Sequence, residues 1–98
     1  MIRSFSDSGT EDIFNGRNTA QARRCCPRTF WAVVGRKLDQ LDSVEELEEL
    51  RIPPGNRLEA LSRDREGQYS IRVNVQYRIF FVWSEDGPQD VEIVDYHR

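Results

Sequence analysis

Gln68-Tyr69-Ser70-Ile71-Arg72-Val73-Asn74-Val75-Gln76-Tyr77-Arg78-Ile79-Phe80-Phe81-Val82-Trp83 is the stretch that decides the fold. In its first half Tyr69, Ile71, Val73 and Val75 alternate with Gln68, Ser70, Arg72 and Asn74. A period of two marks a strand with one face buried and the other in water. From Tyr77 to Trp83 the chain is apolar on both faces, which predicts a central strand. The connection at 74–76 is short, so the two strands run antiparallel.

Working outward, short turns at 64–67 and 86–88 set off two more strands, a brief one at 57–61 and a last one at 91–96. Upstream, Pro53-Pro54-Gly55 ends a helix. Ser43 and Glu46 match a capping box, so that helix is expected to start there, with Val44, Leu47 and Leu50 on one face. A longer helix is expected after Pro27, where Phe30, Val34, Leu38 and Leu41 recur at helical spacing. Gly35 weakens it by about 1 kcal/mol relative to Ala unless close packing needs it. Thr10 is the expected cap of a brief helix running to Phe14, and residues 1–5 read as a short edge strand. The expectation is one α+β domain over residues 1–98, with helices first and an antiparallel meander after them.

Composition bounds the function. The 98 residues are 38% hydrophobic and 32% charged, which fits a globular chain and not a disordered one. The longest apolar run of the first half, 30–34, is too short to span a membrane, and the first residues carry no apolar signal core. Cys25 and Cys26 are adjacent and alone, so they build no disulfide framework, and no Cys/His spacing supports zinc. A cytoplasmic protein with reduced thiols is expected. The net charge of −3 conceals a division. Residues 39–49 hold six of the 17 acids and no base, leaving 14 basic against 11 acidic residues elsewhere. All of those bases except Lys37 are arginine, the residue that forks onto phosphate.

Three groups of residues can carry chemistry. Asp95-Tyr96-His97 ends the last strand, and His97 is the sole histidine. Alternation puts Asp95 and His97 on one side and Tyr96 on the other. A histidine beside an aspartate can transfer protons near neutral pH, or it can be a solvated chain end. Arg78 opens the central strand, where a charge needs a partner. Either it pairs with Asp95 or Glu92, or its guanidinium aims at a phosphate. Arg57, Arg63 and Arg65 flank the turn before Gln68, as phosphate ligands or as solvated charges.

Several stretches together resemble the HigB toxins, a branch of the RelE/ParE superfamily. They are Phe5 with Gly9-Thr10-Glu11-Asp12-Ile13-Phe14-Asn15-Gly16, Lys37-Leu38-Asp39-Gln40-Leu41-Asp42 and Pro53-Pro54-Gly55-Asn56-Arg57-Leu58-Glu59-Ala60-Leu61. Asp64-Arg65-Glu66-Gly67-Gln68-Tyr69-Ser70-Ile71-Arg72-Val73-Asn74, Tyr77-Arg78-Ile79-Phe80-Phe81-Val82-Trp83 and Asp90-Val91-Glu92-Ile93-Val94-Asp95-Tyr96-His97 continue the series in order. The resemblance implies a compact RelE-like domain, two helices on an antiparallel sheet. It implies metal-independent cleavage of mRNA at the ribosomal A site without a cofactor. The implied partners are the ribosome and a helix-turn-helix antitoxin, HigA-like, that blocks the toxin. In that chemistry His97 transfers a proton, Asp95 orients it or shares the work, Arg78 stabilises charge and Tyr96 positions the nucleotide. Arg57, Arg63 and Arg65 bind the RNA backbone. One departure stands out: relatives have Lys-Gly where this chain has Ser62-Arg63. The ParE-like branch, which acts on DNA gyrase without cleaving RNA, is the alternative on the same scaffold.

Overall fold

The computed structural model describes residues 1–96. Three α-helices come first: α1 (Ser8–Phe14), α2 (Ala20–Cys25) and α3 (Trp31–Ser43). Four strands follow: β1 (Glu59–Ala60), β2 (Gln68–Arg72), β3 (Tyr77–Ser84) and β4 (Gly87–Asp95). They form one antiparallel sheet in the order β1-β2-β3-β4. The α+β reading and the antiparallel meander therefore hold, with β3 inside the sheet as its two apolar faces require.

The core lies between the helices and one face of the sheet. Val34, Leu38 and Leu41 of α3 are fully buried and join Ile71, Tyr77, Ile79, Phe81, Val91 and Ile93 in one cluster. The predicted stripe along α3 is thus the face that packs, and Phe30 meets Tyr77 with ring centroids 5.8 Å apart. The other face of the sheet carries Ser70, Arg72, Arg78, Phe80 and Glu92, set there by register and alternation.

Several local expectations change. The cap of α1 is Asp7, whose Oδ1 accepts the Thr10 amide at 2.6 Å. Thr10 itself is buried inside α1, where its hydroxyl accepts the Ile93 amide at 3.1 Å. Helix α2, capped by Thr19, was not expected. The expected helix from Ser43 is only a 3-10 turn, Leu47–Arg51. Its capping box is Glu46 with Glu49, and Ser43 is the last residue of α3. Pro27 precedes a 3-10 turn, Arg28–Phe30, which leads into α3. Residues 1–5 make no strand; Phe5 forms one parallel bridge to Val91. Strand β4 starts four residues earlier than expected, because an edge strand tolerates Pro88. Opposite Phe81, β4 carries an extra residue: Phe80 pairs with Glu92 but Val82 with Gln89. Asp90 sits in this bulge with φ 52°, a left-handed conformation that Asp tolerates better than most residues. Among the described residues, no helix is long and apolar enough to cross a membrane.

Candidate functional site

Arg78 is the centre of the open face. It is 7% exposed, and two of its three guanidinium nitrogens are bonded to the protein. Nε donates to Ser70 Oγ at 2.9 Å, across the β2–β3 pair. Nη2 donates to the Arg57 carbonyl at 2.8 Å and stands 3.5 Å from Glu59 Oε1. The guanidinium carbon lies 5.6 Å from the centre of the Tyr96 ring. Burial lowers the pKa of Arg78 from its ordinary value. Glu59 and Tyr96 oppose that shift, and the nearby Arg72 and Arg57 add to it. An arginine still stays charged at neutral pH, so the site presents a fixed, partly desolvated cation. The sequence offered Asp95 or Glu92 as its partner; Glu59 from the short strand β1 takes that place, and Glu92 pairs with Arg65 at 3.1 Å.

A cleft of about 440 Å³ opens beside Arg78. Its walls are Arg57, Glu59, Arg72, Asn74, Val75, Arg78 and Tyr96. A second cleft of about 230 Å³ shares Glu59 and Tyr96 and adds Leu61, Ser62, Arg65 and Phe80. Tyr96 therefore stands between the two, edge-on to Phe80 with centroids 5.8 Å apart. The first hollow is lined chiefly by guanidinium groups, and the second sets the rings of Phe80 and Tyr96 beside Arg65, Glu59 and Ser62. That pairing suits a strand whose phosphates are anionic and whose bases are flat.

The arginines expected to act together are divided. Arg57 lines the first cleft and holds a left-handed φ of 46°, which turns its carbonyl onto Arg78. Arg65 lines the second, 4.8 Å over the Phe80 ring, and bonds to Gln68 and Glu92. Arg63 lines neither cleft; it is exposed, with φ 57°. Strained backbone of this kind gathers at functional positions, and two of the three left-handed non-glycine residues are expected phosphate ligands.

The C-terminal residues also divide. Tyr96 joins Arg78. Asp95 is the register partner of Tyr77 and so stands on the opposite face, where it accepts from Gln76 Nε2 at 3.2 Å. Asp95 does not line either cleft. His97 lies outside the described residues. Glu59, Arg72 and Asn74 were not expected at the site. For Arg72 a signal existed: the alternation of β2 puts it on the polar face, and a tight turn at 74–76 sets it opposite Arg78.

Comparison with known proteins adds an independent line. A family model described as the RelE-like HigB toxin of type II toxin–antitoxin systems matches residues 3–97. Toxin HigB-1 of Vibrio cholerae serotype O1 is 39% identical over 83 residues, which cover 85% of this chain and 84% of that protein. An uncharacterized protein of Haemophilus influenzae is 40% identical over 60 residues, covering 61% of this chain and 59% of that one.

Proposed function

The chain belongs to the family of HigB-like toxins, RelE-like toxins of type II toxin–antitoxin systems, and on that premise we propose that it is a cytoplasmic endoribonuclease that cuts mRNA on the ribosome. The observation that carries this reading is Arg78, a buried guanidinium held by Ser70, Arg57 and Glu59 beneath Tyr96 in an arginine-lined cleft. A preorganised cation in a water-poor site is worth most where negative charge develops, as on a phosphorane.

The reaction is a transesterification. The 2′-hydroxyl oxygen attacks the adjacent phosphorus, forming one P–O bond as the bond to the 5′-oxygen breaks. The products are a 2′,3′-cyclic phosphate and a 5′-hydroxyl. The 2′ proton leaves to a base, and the departing oxygen receives a proton from an acid. His97 is the proposed proton carrier at one of these oxygens, and Asp95, which lines neither cleft, is assigned the part of orienting it. Arg78 and Arg57 hold the phosphate charge, Arg65 and Arg63 contact flanking backbone, and Tyr96 stacks on a base. No metal or cofactor enters this scheme. A type II toxin has an antitoxin partner; we take that partner to be a helix-turn-helix, HigA-like protein.

A second reading is a non-enzymatic inhibitor on the same scaffold. Ser62, where relatives carry lysine, and Arg65, already paired with Glu92, favour it. Primer extension on mRNA translated in vitro separates the two. Cuts inside codons that depend on ribosomes support the nuclease. Translation arrest without cuts, or intact translation with blocked gyrase, rejects it.

A further inference from the structure

The cleft contains one guanidinium that the reaction above does not use. Arg72 ends β2 and is the register partner of Arg78, so both side chains stand on the open face. Like charges set directly opposite each other across two strands destabilise a sheet. Glu59 answers the charge on Arg78. Among the described residues no carboxylate lies within ion-pair distance of Arg72. Its Nε donates to the Asn74 carbonyl at 3.1 Å, which ties the guanidinium to the β2–β3 turn. Among the described residues neither terminal nitrogen has a hydrogen-bond partner, and the side chain stands in a cleft that Arg57 and Arg78 also line.

The walls of that cleft hold three arginines against one glutamate, a formal excess of two positive charges. A single phosphodiester carries one negative charge; two neighbouring ones match the excess. We propose that Arg72 is a phosphate-binding residue, whose terminal N–H groups grip the phosphodiester next to the one held by Arg78. The identity of the strand as single-stranded RNA rests on the nuclease reading. The arrangement accepts repulsion in the empty protein in exchange for a two-phosphate grip when the strand is bound.

The test uses the full chain and a short single-stranded RNA with 2′-O-methyl riboses, which the proposed reaction cannot cut. Affinity is read by fluorescence anisotropy over a range of salt, with strands carrying one neutral methylphosphonate at successive positions. The parent should lose affinity at two adjacent positions. Arg72→Gln should bind about tenfold more weakly at low salt, the value of one charged hydrogen bond. Its slope of log affinity against log salt should shrink by about 0.7, the share of one contact to a single strand. It should no longer sense one of the two methylphosphonates, and its melting temperature should equal or exceed the parent's. Unchanged affinity, retained sensitivity at both positions, or a melting temperature several degrees lower with a uniform loss of binding overturns the assignment. So does a parent that binds no strand at low salt. Cleavage on programmed ribosomes is scored separately: a parent that grips both phosphates and cuts nothing rejects the nuclease reading and retains Arg72 as a phosphate ligand.

Discussion

A charge such as Arg78 survives inside an apolar strand only because each desolvated N–H finds an acceptor. Ser70, the Arg57 carbonyl and Glu59 supply them, each from a different element. Arg78 stays charged at neutral pH, so the proton transfers fall to other groups, and His97 is the one side chain whose type ordinarily titrates near neutrality. His97→Ala should lower single-turnover cleavage on programmed ribosomes by roughly 10²–10⁴-fold with little change in ribosome affinity; a variant that cuts at the parental rate rejects the role. Ser62 faces the second cleft beside Arg65, Phe80 and Tyr96. A lysine there adds a cation near the reacting phosphate, and Ser62→Lys should raise the cleavage rate by up to about 10²-fold. An equal or slower rate with unchanged melting temperature would mean that the residue lies away from the charge that develops. That Arg78 needed a partner was legible in the sequence, because a charge inside an apolar strand always does. Which partner was not, because Glu59 is placed by a two-residue strand whose register no local pattern reveals.

Among the elements, α3 and β3 were the readable ones, since a long stripe or a run of apolar residues leaves one way to pack. Helix α2 escaped notice because it is six residues long and buries a single alanine, Ala22. Its place is set by backbone proximity. A Cβ added to Gly9 in α1 would lie 2.6 Å from the Gln21 carbonyl oxygen and 2.9 Å from the Cys25 Cβ. Neither neighbour is a flexible tip, so Gly9→Ala should push α1 from α2 and cost about 1–3 kcal/mol. Gly35 has nothing within 4 Å of its missing Cβ, so close packing does not require it. Gly35→Ala should therefore stabilise the protein by about 0.5–1 kcal/mol. Urea unfolding of the two variants checks both signs; a stabilised Gly9→Ala or a destabilised Gly35→Ala contradicts this account of the helical layer. The 3-10 turn Leu47–Arg51 was mistaken for a longer helix since its capping box is real but shifted, with Pro53 close behind.

At the scale of the molecule, the start of the chain is fastened to the outer side of β4. Arg3 N donates to the Pro88 carbonyl at 2.8 Å, Val91 N to Ser4 at 3.1 Å and Ser6 N to Val91 at 2.9 Å. The Ser4 hydroxyl accepts the Asp90 amide at the bulge, and Thr10 takes the Ile93 amide. Deleting residues 1–6 would leave the Pro88, Asp90 and Val91 backbone groups of β4 unpaired, and static light scattering should then show more concentration-dependent association than the full chain does. A truncated chain that stays monomeric with an unchanged melting temperature would contradict this. The same fastening limits how copies can be joined. A fibre that grows by adding sheet to sheet needs two adhesive margins on every unit, one to receive and one to donate. Here one margin is occupied by the molecule's own first residues, and the other, β1, is two residues long. Two copies can meet β1 to β1, and that pairing ends the series: the sheet has a start for polymer growth and no means of propagation.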